Sequence, residues 1–139
     1  LDELLKNSDY VSLHVPLISA TKRMISEKEL KLMKKNAFLI NTARGTLVDE
    51  DALIEALQNK EIAGAGLDVF ENEPLEKDSL LHKLDNVIIT PHIAATTKEA
   101  IENMANAAIK NILSILNHKR SNNIINPEVY LKNNCKNNM

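Results

Sequence analysis

The sequence is poor in the residues that would announce several chemistries. Its single cysteine, Cys135, lies in a polar stretch, which excludes an internal disulfide and fits a reducing compartment. It has no basic tract. Seventeen Lys and Arg stand against nineteen Asp and Glu, a formal charge of -2, which argues against nucleic acid or an anionic membrane surface as partners. No apolar run approaches the ~20 residues of a membrane span, and no signal segment is recognisable. These absences lead to the expectation of a soluble, cytoplasmic protein without membrane or metal. Internal repeats are missing as well. Glycine is confined to Gly45, Gly64 and Gly66, so there is no GxGxxG turn of the kind that cradles a dinucleotide pyrophosphate. At 139 residues the chain is long enough for one core. It opens on Leu1, within a helix-like stretch, and is expected to be part of a larger fold.

What is present is an alternation of apolar runs with amphipathic stretches. Val11, Leu13 and Val15 alternate with Tyr10, Ser12 and His14 before Pro16, which predicts a strand over 10–15. Ser26 and Glu29 have capping-box spacing and predict a helix to about Lys35, with Leu30 and Met33 inward. A second strand is predicted over 37–42. Asp49 reads as the cap of a helix ending near Lys60, with Ala52, Leu53, Ala56 and Leu57 as its apolar stripe. A third strand over 63–69 carries Gly64 and Gly66, expected to admit a helix or ligand closely. An acidic loop, a helical turn at 80–84 and a fourth, wholly apolar strand over 87–90 follow. Thr96 and Glu99 form another capping-box pattern, predicting a long helix to about Asn117. Its apolar residues occupy more than one side, which suggests burial between layers or domains. Ile124-Ile125-Asn126-Pro127 reads as a last anchored segment, and 133–138 as disordered.

Strands that alternate with helices and are apolar on both faces predict a doubly wound parallel α/β sheet with right-handed crossovers. About half of such a sheet is present, over residues 1–117, with 118–139 as a largely irregular tail. In an open parallel sheet the carboxyl ends of the strands line one crevice where ligands bind. Four predicted strands here end in polar or ionisable residues: His14, Asn41-Thr42-Ala43-Arg44, Asp68 with Glu73, and His92 after Pro91. Arg44, Asp68, Glu73 and His92 are therefore expected to share one site.

Each residue type suits a task there. The Arg44 guanidinium can hold a carboxylate through two parallel charged hydrogen bonds and keeps its charge at neutral pH. His92 can donate and accept a proton near pH 7, as interconversion of a carbonyl and an alcohol requires. A lone histidine after proline is more often structural, but Glu73 supplies a carboxylate to fix its tautomer and orientation. Asp68 could contact a cofactor amide or simply cap its loop. An arginine for a carboxylate, a proton-transfer pair and a half-sheet suited to a dinucleotide make a hydride-transfer site for 2-hydroxy acids.

Three motifs sharpen this. Asn41-Thr42-Ala43-Arg44-Gly45 with Val48-Asp49-Glu50, then Leu67-Asp68-Val69-Phe70 with Glu73-Pro74, then Thr90-Pro91-His92-Ile93, resemble the D-isomer-specific 2-hydroxyacid dehydrogenases, over Leu1 to about Pro127. The resemblance implies a partial Rossmann-like sheet, the second half of a dinucleotide-binding domain, with a long C-terminal helix returning toward a substrate domain. It implies that Arg44 binds the substrate carboxylate, that Glu73 pairs with His92, and that His92 is the acid/base. Cofactor contacts would fall on His14, Val15, Thr42, Ala43, Arg44, Asp68, His92 and Ala95. The cofactor would be NAD, with NADP left open because the residue that reads the ribose lies upstream of Leu1. The partner would be a small 2-hydroxy or 2-oxo acid such as 3-phosphoglycerate, hydroxypyruvate or glyoxylate, and the full-length protein a homodimer. The chain alone is expected to bind NAD poorly and to turn over nothing. Two alternatives stay open: an NAD(H)-sensing corepressor-like module, and an inactive truncated remnant.

Overall fold

The structure, a computed structural model, describes residues 1–121 and 123–129. Its chain forms two compact units, Leu1–Ala94 and the part from Ala95 onward. In the first unit α1 (Asp2–Asn7) leads into β1 (Tyr10–Leu13), α2 (Glu27–Leu32), β2 (Phe38–Asn41), a 3-10 turn (Gly45–Leu47) and α3 (Glu50–Gln58). β3 (Gly64–Leu67), a second 3-10 turn (Leu80–Lys83) and β4 (Val87–Ile89) complete it. The second unit contains α4 (Lys98–Leu116).

The four strands form one wholly parallel sheet in the order β1-β2-β3-β4. Because all run the same way, the loops beginning at 14, 42, 68 and 90 leave one edge side by side. Register sorts the strands into two faces. Val11, Leu39, Ala65 and Val87 make one row, and Leu13, Asn41, Leu67 and Ile89 the next. Val11, Leu13, Leu39, Ala65 and Leu67 are buried, in one core with Leu30 of α2 and Leu53 and Leu57 of α3. Each such leucine contributes about 2 kcal/mol relative to an exposed position. The opposite face carries Tyr10 stacked on Phe38, with ring centroids 5.6 Å apart, and Ile88 at 74% exposure. The strands were expected to be covered on both faces; within this unit the helices cover one.

Helix starts follow local chemistry. Ser26 and Glu29 form the expected capping box, and Asp49 accepts from the Ala52 N–H. Both helices stop two or three residues before their predicted ends; Lys60, at φ 54°, sits in the left-handed region where a helix cannot continue. The strands are likewise shorter than their apolar runs. At the start of α4 the cap is Thr97, whose side chain accepts from the Ala100 N–H, rather than Thr96. Glu99 then falls one position short of closing a capping box. None of the α4 residues is buried. Ile125 of the expected anchor segment is 100% exposed. The predicted disordered stretch 133–138 lies outside the described residues.

The glycines also differ from expectation. A Cβ on Gly64 would meet the Asn86 carbonyl at 2.6 Å and the Phe38 ring at 3.1 Å, so the close protein neighbours are a loop and a cross-strand ring rather than a helix. A Cβ on Gly66 would meet only the Ile40 side chain, at 4.0 Å. The demanding position is Gly45, where a Cβ would lie 1.9 Å from the Phe70 carbonyl. There the loop after β2 and the loop after β3 touch backbone to backbone.

Candidate active site

At the C-terminal edge of β2, Asn41 is 1% exposed and folds the loop that carries Arg44. Its Oδ1 accepts from the Ala43 N–H at 3.1 Å and its Nδ2 donates to the Arg44 carbonyl at 2.9 Å. Asparagine does this because its side chain mimics a backbone turn. The Arg44 side chain is exposed at the strand end, its Nη1 donating to the Ala43 carbonyl at 2.6 Å. With His14, Val15, Pro16, Leu17, Thr42 and Ala43 it lines an open hollow of about 720 Å³. His14 itself pairs through Nε2 with the Ser12 hydroxyl at 2.8 Å.

Beyond β3 the chain delivers two carboxylates with different surroundings. Asp68 is buried at 3% exposure. Its Oδ1 accepts from the Thr90 hydroxyl at 2.6 Å and the Ile93 N–H at 2.8 Å, and its Oδ2 from the Ala94 N–H at 2.9 Å. These contacts tie Asp68 to the loop after β4. Burial pushes the Asp68 carboxyl up, but the three hydrogen bonds and the nearby His92 outweigh it and hold the group below its usual range. The same three bonds grip both sides of the Pro91-His92 turn, where His92 sits at φ 54°, a left-handed conformation that a non-glycine residue keeps only when its surroundings impose it.

Glu73 and His92 meet at that turn. His92 Nδ1 lies 2.6 Å from Glu73 Oε2, and Glu73 Oε1 accepts from the Phe70 N–H at 3.1 Å. An ionised carboxylate only accepts, so the proton of this bond belongs to Nδ1 and the exchangeable position of the ring is Nε2. The bond to His92 is the main reason the Glu73 carboxyl is held below its ordinary value. Partial burial opposes it, while the Phe70 N–H and the charges of His92 and Arg44 assist. The pair borders a largely apolar pocket of about 480 Å³ formed with Phe70, Pro74, Leu75, His82, Ile89 and Pro91.

The expected residues thus stand at one sheet edge. Arg44 lines the hollow beside β1, Glu73 and His92 border the pocket beside β4, and Asp68 is buried. Arg44 is close enough for its charge to act on Glu73. Ala95 is the first residue of the second unit. Three residues with supporting contacts had no role assigned from the sequence: Asn41 and Thr90, which lie within the motifs, and Arg23, which lies outside them. Asn41 had a readable signal, an amide side chain at the last strand position directly before Thr-Ala-Arg-Gly. Among the described residues no group of three His, Cys, Asp or Glu is placed to hold a metal, and no helix is long and apolar enough to cross a membrane.

A family model for the NAD binding domain of D-isomer specific 2-hydroxyacid dehydrogenases matches residues 1–94, the whole of the first unit. The chain belongs to that family. Glyoxylate reductase of Thermococcus litoralis is 53% identical over 128 residues, covering 92% of this chain and 38% of the relative. Glyoxylate/hydroxypyruvate reductase B of Cronobacter sakazakii is 49% identical, covering 92% of this chain and 40% of the relative. Among solved structures, the NAD-complexed D-isomer specific 2-hydroxyacid dehydrogenase of Lactobacillus delbrueckii ssp. bulgaricus superposes with a TM-score of 0.81 at 45% identity, over 89% of this chain and 42% of that one. The chain of this dehydrogenase family member therefore spans about two-fifths of the length of the relatives it matches.

Proposed function

We propose that the chain supplies the proton-transfer and carboxylate-binding side of a site that moves a hydride between a nicotinamide dinucleotide and a small 2-oxo or D-2-hydroxy acid. The observation that carries this reading is the 2.6 Å His92 to Glu73 contact at the same sheet edge as Arg44, with Arg44 acting on Glu73. Similarity to proteins named glyoxylate reductase and glyoxylate/hydroxypyruvate reductase supports glyoxylate and hydroxypyruvate as first substrates.

The residues present suit one end of the cofactor. The hollow that His14, Val15, Thr42, Ala43 and Arg44 help to line opens at the C-terminal edge of a parallel sheet, where dinucleotides bind, and mixes apolar and polar groups. No glycine-rich turn for the pyrophosphate occurs in the sequence. The fit is therefore to the nicotinamide half, with Asp68 and His92 following β3 and β4 at the same sheet edge. When bound, that group supplies or accepts the hydride. In reduction, Arg44 orients the substrate through its carboxylate, and protonated His92 gives the Nε2 proton to the forming alkoxide oxygen. Glu73 keeps Nδ1 protonated throughout, so that Nε2 alone exchanges. In oxidation, neutral His92 takes the hydroxyl proton at the same nitrogen. Residues 1–117 act as the later half of a dinucleotide domain and 118–139 as its tail.

The test is an assay of the full-length gene product with NADH and NADPH against glyoxylate, hydroxypyruvate and larger 2-oxo acids. Oxidation of the reduced cofactor with one of them is expected, and failure with all of them overturns the reading. The 139-residue chain alone is expected to show weak cofactor binding and no turnover.

A further inference from the structure

Arg23 lies in the turn after β1, outside the three motifs, and its backbone has φ 50°. The turn is tied down by its N–H, which donates to the Thr46 carbonyl at 2.8 Å. From there the guanidinium spans two acidic residues on different elements. Nε donates to Glu71 Oε1 at 3.1 Å, Nη2 to Glu71 Oε2 at 3.3 Å, and Nη1 to Asp49 Oδ2 at 3.2 Å. Asp49 is the cap of α3. One side chain thus fastens the loop after β3 to the turn after β1 and to the start of a helix. A two-pronged guanidinium bond fixes direction as well as distance.

Two further ties act on the same loop. The Glu71 N–H donates to Glu50 Oε2 at 3.0 Å, and the Phe70 carbonyl rests against Gly45. Two residues on comes Glu73, one oxygen on the Phe70 N–H and the other on His92 Nδ1. We propose that Arg23 is a positioning residue for the Glu73 and His92 pair, holding the 70–73 loop through Glu71 so that Glu73 meets the imidazole. The catalytic part of this statement rests on the function proposed above; the positional part does not. The charged groups at issue are Arg23, Asp49, Glu50 and Asp51 around Glu71, and Arg44 and His92 around Glu73. Without Arg23, Glu71 would face Asp49 and Glu50 with no cation between them, and like charges would drive the loop outward.

The test compares wild type with Arg23→Asn, which tolerates the left-handed backbone, and Arg23→Lys, which keeps the charge without the fork. In the 139-residue chain, carboxyl-carbon NMR follows Glu73 titration and nitrogen NMR the His92 tautomer. For Arg23→Asn the Glu73 midpoint is expected to rise toward that of an ordinary carboxyl, and the Nδ1-protonated tautomer to lose population, with Arg23→Lys between. In the full-length product kcat is expected to fall about tenfold, short of the ~10²-fold that a 1 Å misplacement can cost, with KM for the 2-oxo acid within about twofold. Unchanged Glu73 titration and tautomer in a folded Arg23→Asn chain overturn the proposal. If that variant does not fold, Glu71→Gln removes the other half of the fork and is judged by the same signals. Altered signals in an inactive full-length wild type would overturn the proposed reaction while supporting the positional role.

Discussion

His92 Nδ1 and Glu73 Oε2 lie 2.6 Å apart, joining the turn after β4 to the loop after β3 across nineteen residues of sequence. The bond commits one ring nitrogen to a carboxylate, and the other is the one proposed to exchange a proton with substrate. Replacing Glu73 by Gln keeps the shape but lets the side chain donate where the ring must donate. A fall in kcat of about 10²-fold is expected, at the low end of what a positioned acid/base contributes, with cofactor affinity little changed. Steady-state kinetics of the full-length product measure it.

Arg44 is held by a loop that Asn41 shapes, and its guanidinium is proposed to grip the substrate carboxylate. Arg44→Lys preserves the charge and loses the fork. The KM for glyoxylate should rise about tenfold or more, since a charged hydrogen bond contributes roughly 1.5–3 kcal/mol, while kcat changes less. A rise confined to the cofactor's KM would assign Arg44 elsewhere.

Asp68 makes stability depend on acid. Its carboxyl sits below the usual range in the folded chain, so its contribution is fully present above the unfolded value of about 3.9 and is lost as pH falls through the lower folded value. Urea midpoints should therefore drop between about pH 5 and pH 2. Asp68→Asn should cost about 1–3 kcal/mol at pH 7, because its amide cannot accept at both positions, and should flatten that acid limb. Glu29 and Glu73 are also held low, so the limb should shrink rather than vanish.

Gly45→Ala tests the contact between the two loops. A Cβ there would lie 1.9 Å from Phe70 backbone atoms, which no side-chain rotation relieves. A loss of about 3 kcal/mol, the upper part of the usual overpacking range, is expected in thermal unfolding. Activity should fall as well, since the displaced loop carries Glu73.

Much of this was legible because the signals were local. Ser26 with Glu29, and Asp49 before an apolar stripe, specify their caps through residues three apart. The strand ends were readable because a buried run must stop where polar residues begin. Thr96 and Thr97 were confused for a related reason: adjacent threonines offer the same chemistry, and only backbone geometry selects which one the helix uses. Relations over long separations were hidden. That Gly45 must be glycine depends on Phe70, and the Arg23 fork depends on Glu71, forty-eight residues away. Asp68 gave two readings in sequence because two of its three partners are backbone N–H groups of the 90–94 loop, and backbone donors leave no mark in residue identity.

The most direct measurement is single-turnover reduction of glyoxylate by the full-length product, wild type against His92→Asn, with cofactor affinity measured in parallel. Proton transfer at His92 predicts a rate loss of about 10²- to 10⁴-fold with cofactor affinity preserved. A variant that reduces glyoxylate at the wild-type rate would contradict it.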